Sequence, residues 1–294
     1  MNKTLHKIKS RILRNIYEIP LLKYQNDMAY LKAIAKHIPN LPILSNTDID
    51  IVKQLKSEGV AITSLEQLNI ASHPQFFQAA ENLMPKIPPS ITGDQNEFVV
   101  HANAQQMLEH PEIFLWGLEQ RLLNIVENYL GLPVAYHGAY FRRDIANQLE
   151  QGSRLWHIDK EDRKVIKIIV YLNDVDEYTG PFQYIPNYLT SEVVKDLNYK
   201  SGYICDQRMQ EIISPEKYQS CTGTTGTVIF AATGSIFHRG KPPIKSDRFA
   251  IFFDYTSRRR QQLFYTTSAI THEYLLKEFK HISAQQQEYI FWQK

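Results

Sequence analysis

The chain has 294 residues, 43% of them hydrophobic, which is enough to bury a large core in one large or two small domains. Its 33 Lys and Arg residues nearly balance 31 Asp and Glu residues, and the net charge of +2 argues against nucleic acid as a partner. The only cysteines, Cys205 and Cys221, are too few for a disulfide framework, and unpaired thiols are favoured over a bridge between them. No apolar stretch is long enough for a signal peptide or a transmembrane segment, so we expect a cytoplasmic protein.

Residues 1–130 predict a mainly helical region. Residues 5–16 carry apolar side chains at helical spacing among basic ones, which predicts an amphipathic helix packed on the domain; docking on an anionic membrane surface is the alternative. An N-cap at Asn46 or Thr47 and a break near Pro111 are expected. The further segments predicted in this region are helices at 48–58 and in two parts over 104–130, and short strands at 59–64 and 97–102.

In residues 131–260 the sequence pattern differs from that of the helical region: short apolar stretches are separated by turns, and these stretches predict strands. The clearest of them are 134–142, 155–159, 165–172, 182–185, 227–232 and 248–255. A long insert, residues 187–222, interrupts them, and inserts of this length are often functional lids. Residues 261–294 predict a helical tail. This order of helices, about eight strands and a helical tail is typical of a mainly β protein with flanking helices, namely a double-stranded β-helix (jelly-roll, cupin-like) barrel. We expect one domain that covers residues 1–294.

The segment Leu155–Asp159 carries the first chemical signal. In an extended segment His157 and Asp159 point to the same face, which gives half of a metal site. A third ligand is available about eighty residues later at His238, just after an apolar strand. Two imidazoles and one carboxylate on one side of an ion form the facial triad of non-haem iron(II) oxygenases, which leaves the opposite coordination positions open.

An arginine follows the third candidate ligand a short way along the sequence. Arg248 lies ten residues after His238 and opens the strand 248–255. In an extended strand one face is shared by Arg248, Ala250, Phe252 and Asp254. An arginine that points into a barrel can hold a carboxylate through two parallel hydrogen bonds. We therefore expect Arg248 to lie in the same site as the triad.

The ordered motifs resemble a known family. The set comprises His157-x-Asp159, Tyr171-Leu-Asn-Asp-Val-Asp, Gly180-Pro-Phe-Gln-Tyr-Ile-Pro, His238 and Arg248. Over residues 136–257 it resembles the phytanoyl-CoA dioxygenase-like family of iron(II)/2-oxoglutarate-dependent oxygenases. The His-x-Asp pair alone is a weak signal, because it arises often by chance, whereas the ordered set is a strong one.

The resemblance implies a cofactor, two co-substrates and a reaction. His157, Asp159 and His238 would hold Fe(II), 2-oxoglutarate and O2 would take the open positions, and Arg248 would bind the distal C5 carboxylate of 2-oxoglutarate. The co-substrate would be decarboxylated to succinate and CO2 while a C–H bond of a small-molecule metabolite or biosynthetic intermediate is hydroxylated. Related halogenases have Gly or Ala where this chain has Asp159, so the resemblance favours a hydroxylase over a halogenase.

Several further residues are candidate contacts. Lys167, a lone cation among apolar neighbours, either extends to the rim, which is preferred, or meets an anion inside. With Tyr171 and Tyr140 it is a candidate co-substrate contact. Four aromatic residues are candidates for an apolar substrate pocket, although each could equally be ordinary core: Trp156, Phe182, Tyr184 and Phe141. His137 is predicted to be structural.

Basic residues flank the inferred mouth of the barrel, where they would favour an anionic substrate or an acyl group on a phosphorylated carrier. They are Arg142, Arg154, Arg163, Lys164, Arg239 and Lys241. Because Glu161, Asp162 and Asp247 lie among them, solvated surface is the preferred explanation for most.

Two other classes of protein compete with the oxygenase interpretation. One is a cupin-type metal-dependent isomerase or epimerase that uses the same barrel without 2-oxoglutarate. The other is a non-catalytic barrel that binds a metal or a ligand. The spacing of Arg248 from His238 argues against both.

Overall fold

Two antiparallel β-sheets face each other, with helices packed on the outer side of the larger sheet, in a computed structural model that describes residues 20–259 and 282–292. The strands are β1 (Val60–Ser64), β2 (Val99–His101), β3 (Val134–Asp144), β4 (Ile166–Tyr171), β5 (Phe182–Tyr184), β6 (Gln219–Cys221), β7 (Thr227–Ala231), β8 (His238–Gly240) and β9 (Arg248–Ser257). The helices are α1 (Pro20–His37), α2 (Asn46–Ser57), α3 (Leu65–Leu68), α4 (His73–Leu83), α5 (Ala104–Leu108), α6 (Pro111–Trp116), α7 (Gln120–Leu130), α8 (Asn187–Asp196), α9 (Asp206–Gln210) and α10 (Ala284–Ile290).

The order of the strands defines the fold. The larger sheet runs β1-β7-β4-β9-β3-β2 and the smaller one β6-β5-β8. Residues 155–159 add an edge to the smaller sheet, because His157 and His238 exchange two backbone hydrogen bonds of 3.0 and 3.1 Å. From β3 to β9 the chain thus supplies the strands β3, β4, β7 and β9 to one sheet and 155–159, β5, β6 and β8 to the other. This is a double-stranded β-helix, as the sequence predicts.

The strand β4 shows how the two layers are built. Its residues Ile166, Ile168 and Val170 pack outward into the core beneath the helices, while Ile169 and Tyr171 pack inward against the smaller sheet. Both faces of the strand are therefore buried, which explains its nearly continuous apolar sequence. Lys167 shares the inward face, so this cation is placed between the sheets rather than at the outer surface.

The helical region before residue 131 contributes directly to the larger sheet. The predicted strands at 59–64 and 97–102 form β1 and β2, which pair with β7 and β3 at the two edges. The helix predicted at 48–58 forms as α2, but its N-cap is Ser45, whose hydroxyl accepts a hydrogen bond of 3.2 Å from the Asp48 amide, and not Asn46 or Thr47. The predicted break near Pro111 separates α5 from α6.

Two predicted elements fall outside the described residues: the amphipathic helix at 5–16 and most of the C-terminal tail, of which the structure describes α10. Among the described residues, no helix combines the length and the apolarity that crossing a bilayer requires. Both cysteines are unpaired, Cys205 exposed and Cys221 buried.

The insert 187–222 packs on the back of the smaller sheet. A separate apolar core there combines Trp156, Ile158 and Phe237 from the sheet with Val193 and Met209 from the insert. Trp156 and Ile158 alternate with the candidate ligands His157 and Asp159. This core therefore lies on the opposite face of the sheet from the ligands.

Candidate metal centre

The three candidate ligands converge. One ligand atom from each of His157, Asp159 and His238 can be chosen so that all three lie within 4.8 Å of one another. His157 Nε2 is 3.7 Å from Asp159 Oδ1, and His238 Nε2 is 3.8 Å from Asp159 Oδ2. Asp159 and His238 are buried, and the His157 side chain is 12% exposed. The predicted convergence of side chains eighty residues apart is confirmed.

The backbone explains why these side chains meet. His157 and His238 face each other across an antiparallel pair, which brings their ring centroids to 4.2 Å. The Asp159 amide donates to the Thr233 carbonyl at 3.0 Å, which fixes the end of the segment 155–159. With Ile158 turned away, Asp159 then lies on the same side as the two rings.

Hydrogen bonds set the tautomers of the two histidines. Nδ1 of His157 lies 2.8 Å from the Leu155 carbonyl oxygen, and Nδ1 of His238 lies 3.2 Å from that of Ile236. Because a carbonyl oxygen can only accept, both Nδ1 atoms carry the proton and both Nε2 atoms keep a free lone pair. Each Nε2 is the atom that faces Asp159.

The charges of the three groups suit a divalent cation. Burial lowers the pKa of His238 to about 3 and also lowers that of His157, so both rings are neutral. Burial alone would raise the pKa of Asp159, but the adjacent Lys167 ammonium outweighs it and holds this pKa well below its usual range. Two neutral imidazoles and one carboxylate on one side of a shared centre are the donor set of a facial triad.

Lys167 is bound to a ligand of this centre. Its Nζ lies 2.8 Å from Asp159 Oδ2, and its side chain is only 14% exposed. The preference for a position at the rim was therefore wrong, and the alternative of an anion inside the barrel describes its place. Its ammonium group restrains one oxygen of the carboxylate and offsets its charge.

Arg248 lies in the interior and already has a carboxylate partner. Its Nη2 is 2.8 Å from Asp144 Oδ2, its Nη1 donates to the Gly180 carbonyl, and its residue is 2% exposed. Asp144 also accepts from Nε of Arg142 at 2.8 Å. Two guanidinium groups thus share one carboxylate, which leaves one net positive charge in this cluster. The buried Nε of Arg248 has no hydrogen-bond partner among the described residues.

The strand β8 passes close to this cluster. A Cβ atom on Gly240, two residues after the ligand His238, would lie 3.1 Å from Arg248 Nη2. The absence of a side chain at Gly240 therefore lets the guanidinium approach the strand that carries a ligand. Gly180, in a left-handed conformation with φ of 79°, forms the turn whose carbonyl meets Arg248 from the other side.

The two tyrosines predicted as co-substrate contacts have different environments. The Tyr171 hydroxyl donates to the Cys221 carbonyl at 2.8 Å and accepts from the Phe182 amide at 2.9 Å, so it joins β4 to the smaller sheet. Tyr140 stacks on Phe252 with ring centroids 5.1 Å apart, and burial raises its pKa. Tyr140 therefore presents a protonated hydroxyl.

Replacing Tyr171 with phenylalanine should destabilise the protein by about 1–3 kcal/mol, because the buried Phe182 amide and Cys221 carbonyl would lose a partner. Urea unfolding of the variant measures this loss. Tyr188→Phe, at an exposed tyrosine, serves as the control and should unfold as the wild type does. Equal stability of all three proteins would show that this hydroxyl does not join the sheets.

The four aromatic pocket candidates separate into two pairs. Phe182 stacks on His238 with centroids 5.5 Å apart, and Tyr184 packs on the same interior core. Trp156 is fully buried behind the smaller sheet, and Phe141 is fully buried in the core beneath the helices. Both of these side chains point away from the triad, so the structure contradicts their assignment to the substrate pocket.

The six basic residues considered for the mouth of the barrel were expected to be mostly solvated surface, but three of them, Arg142, Arg154 and Arg239, are buried. Each of the six residues has a partner within the protein: Arg142 with Asp144, Arg154 with backbone carbonyls, Arg163 with Asp27, Lys164 with the Tyr129 carbonyl, Arg239 with Asp206, and Lys241 with Glu177. His137, predicted to be structural, lies 2.7 Å from the Thr256 hydroxyl.

Two residues near the centre escaped the sequence analysis. Asp144 ends the strand β3 opposite Arg248, a position that only the strand register reveals. Tyr203 comes from the insert and places its ring edge-on to His157, with centroids 5.0 Å apart, while 56% of the residue stays exposed. The neighbouring Ile204 exchanges two backbone hydrogen bonds with Trp156, which holds Tyr203 there.

Comparison with known proteins finds likeness at the level of structure only. No family model and no curated protein matches the sequence. Among solved structures, the non-haem α-ketoglutarate-dependent epimerase SnoN from nogalamycin biosynthesis is 12% identical over 72% of this chain and 83% of its own, with a TM-score of 0.48. HygX from Streptomyces hygroscopicus, solved with nickel, 2-oxoglutarate and hygromycin B, is 13% identical over 79% and 94%, with a TM-score of 0.49. EctD from S. alaskensis, solved with 2-oxoglutarate and 5-hydroxyectoine, is 16% identical over 74% and 77%, with a TM-score of 0.48.

Likeness at this level assigns neither a reaction nor a substrate. What the described residues themselves show is a double-stranded β-helix that holds a 2-His-1-carboxylate set between its sheets, beside a buried pair of arginines.

Proposed function

We propose that this protein is an iron(II)- and 2-oxoglutarate-dependent oxygenase that hydroxylates a C–H bond of a small-molecule metabolite. The observation that carries the proposal is the buried triad of His157, Asp159 and His238, with both Nε2 atoms unprotonated and the carboxylate ionised. Iron(II) held there would supply the activation of O2, with 2-oxoglutarate as the source of electrons.

The two arginines support binding of a dicarboxylate. Arg142 and Arg248 together carry two positive charges against the single negative charge of Asp144, and all three side chains are buried. A second carboxylate, such as the distal group of 2-oxoglutarate, would neutralise the remaining charge and meet the unpartnered Nε of Arg248. Asp144 would hold Arg248 in position before the co-substrate arrives.

The remaining interior residues have roles in orientation and in excluding water. Lys167 would keep one oxygen of Asp159 engaged, so that the other is directed toward the metal. Phe182 covers one side of His238, and Tyr203 covers the exposed side of His157. With Tyr184 and Tyr140 they would form an aromatic wall for the substrate and co-substrate. Such a wall limits the access of water to the reacting groups.

Hydroxylation is preferred to halogenation because Asp159 occupies the position where a halide would otherwise bind. A metal-dependent isomerase or a non-catalytic barrel would need the triad but not the net charge of the arginine cluster. Production of succinate distinguishes these classes, since neither alternative consumes 2-oxoglutarate.

The test is to incubate the protein with Fe(II), 2-oxoglutarate, O2 and a panel of small-molecule candidates, and to measure succinate and product masses. We expect succinate to form in amounts equal to a product heavier by one oxygen atom. A protein that binds iron and isomerises a substrate with no succinate would contradict the proposal.

Replacing Tyr203 with alanine should raise the KM for the substrate by roughly threefold to tenfold, as expected when an aromatic contact is lost. The affinity for 2-oxoglutarate should not change, because the ring covers His157 from its exposed side. Tyr188→Ala removes an exposed tyrosine elsewhere in the insert and is the matched control. An unchanged KM in the Tyr203 variant would exclude this residue from the substrate pocket.

A further inference from the structure

We propose that Asp206, in the insert, is a positioning residue that holds both histidine ligands in place from the back of the smaller sheet. Its Oδ1 accepts a hydrogen bond of 2.9 Å from the Trp156 indole nitrogen and lies 2.9 Å from Arg239 Nη1. Trp156 precedes His157 in the chain, and Arg239 follows His238. One carboxylate oxygen is thus bound to the immediate neighbours of both ligands.

The contacts of Arg239 extend this arrangement across the sheet. Its Nε donates to Gln183 Oε1 at 2.9 Å, and Gln183 Nε2 donates to the Ser220 hydroxyl at 3.1 Å. The guanidinium also lies over the Trp156 ring, 4.5 Å from its centroid. A continuous chain of polar contacts therefore crosses β6, β5, β8 and the segment 155–159 on the face opposite the triad.

Burial makes this network sensitive to the loss of one member. The Arg239 side chain is 6% exposed, so its guanidinium cannot exchange its partner freely for water. The Asp206 side chain is 22% exposed, and its Oδ2 accepts a hydrogen bond of 2.9 Å from Gln210. A buried charge left without its partner is costly, and the structure around it shifts to relieve that cost. A shift of Trp156 or Arg239 is passed through one peptide unit to His157 or His238.

The backbone pairing of the insert has the same effect. Ile204 and Trp156 exchange two backbone hydrogen bonds of 2.9 Å, while His157 and His238 exchange two on the next position. The segment 155–159 is therefore held between β8 on one side and the insert on the other. Asp206 lies two residues after Ile204 and fixes this part of the insert to the sheet.

The inference rests on the proposed metal centre, so its test measures binding of Fe(II) alone, under anaerobic conditions, to the full-length protein. Asp206→Asn keeps the size of the side chain and removes its charge. We expect roughly tenfold weaker iron binding, the lower end of the effect of residues that orient metal ligands. Glu211→Gln, in the same part of the insert, removes a carboxylate that pairs only with the exposed Arg208 and should bind iron as the wild type does.

A second variant separates positioning from general loss of stability. Trp156→Phe removes the indole donor and should weaken iron binding several-fold. Asp206→Ala, unlike Asp206→Asn, also removes the oxygen that accepts the indole hydrogen bond. Asp206→Ala and Trp156→Phe therefore break the same contact, and the double variant D206A/W156F should bind iron about as well as D206A alone. Independent packing defects would instead add.

The iron-binding results distinguish the positioning role of Asp206 from the metal centre itself. Wild-type affinity in a folded Asp206→Asn variant would overturn the positioning role and leave the metal centre intact. If that variant does not fold, wild-type affinity in Trp156→Phe would overturn the role in the same way. A wild-type protein that binds no iron would overturn the proposed function and this inference together.

Discussion

Replacing Asp159 with asparagine should weaken iron binding by about a thousandfold. The carboxylate is the one anionic donor of the triad, and two unit charges 4 Å apart interact by about 4 kcal/mol at an effective dielectric constant of 20, which corresponds to three powers of ten in affinity. The change also removes the carboxylate that pairs with the Lys167 ammonium at 2.8 Å. That remaining positive charge opposes the entry of a dication.

Calorimetric or competition titration with Fe(II) under anaerobic conditions measures this loss. Circular dichroism should show that the variant is folded, because the asparagine has the same size as the aspartate. Adding Lys167→Met to Asp159→Asn removes the positive charge beside the site and should recover part of the affinity. Asp50→Asn, at an exposed acid, is the control for the loss of one negative charge. Tight iron binding by Asp159→Asn would exclude the carboxylate from the ligand set.

Replacing Arg248 with alanine should weaken 2-oxoglutarate binding about 30-fold or more. Loss of one partner of a buried, hydrogen-bonded charge pair costs roughly 2–5 kcal/mol, and the lower limit corresponds to about 30-fold. Arg142 would remain on Asp144, so that carboxylate would not be left unpaired. Removing Arg248 makes the net charge of the remaining Arg142–Asp144 pair zero, so no net positive charge is left to bind the co-substrate.

A second variant tests the same site without removing the arginine. Gly240→Ala places a Cβ atom 3.1 Å from Arg248 Nη2, so the guanidinium must move by a few tenths of an ångström. We expect weaker 2-oxoglutarate binding with unchanged iron binding, because His238 keeps its backbone pairing with His157. Titration of the iron-loaded proteins with 2-oxoglutarate measures both variants. Unchanged affinity in a folded Arg248→Ala variant would remove Arg248 from the co-substrate site.

The pair His157 and Asp159 could be predicted from the sequence because its geometry depends only on the local conformation of one extended segment. An extended backbone alternates its side chains with a period of two, which is enough to place His157 and Asp159 together. The place of His238 came from its order and spacing relative to the other motifs. The fold class followed from the pattern of short strands separated by turns. The order of the strands within each sheet, such as β1-β7-β4-β9-β3-β2 in the larger one, differs from their order in the chain and could not be predicted in this way.

The same alternation places two of the four aromatic pocket candidates, Phe141 and Trp156, outside the pocket. Phe141 lies between Tyr140 and Arg142, whose side chains face the interior, so its own side chain must face the helices. Trp156 adjoins His157 and must likewise point away from the metal ligands. The residue type of Phe141 and Trp156 suits an apolar pocket, but the period of two along each strand excludes both side chains from the side that faces the triad.

Other features depend on contacts that a single sequence does not encode locally. The pairing of Lys167 with Asp159 requires the smaller sheet to lie over β4, and that of Asp144 with Arg248 requires the register of β3 and β9. Four of the six basic residues have partners in distant parts of the chain: Arg163 with Asp27, Lys164 with Tyr129, Arg239 with Asp206, and Lys241 with Glu177. The length of the insert suggested a lid, but length carries no information about which face of the sheet it covers.

The most direct test of the proposed site is the visible charge-transfer band of an iron(II)–2-oxoglutarate complex, recorded without oxygen. We expect the band when Fe(II) and 2-oxoglutarate are both added to the wild-type protein, no band with Asp159→Asn, and a band that needs far more 2-oxoglutarate with Arg248→Ala. A wild-type protein that binds iron at the triad but gives no band at saturating 2-oxoglutarate would contradict the proposed function.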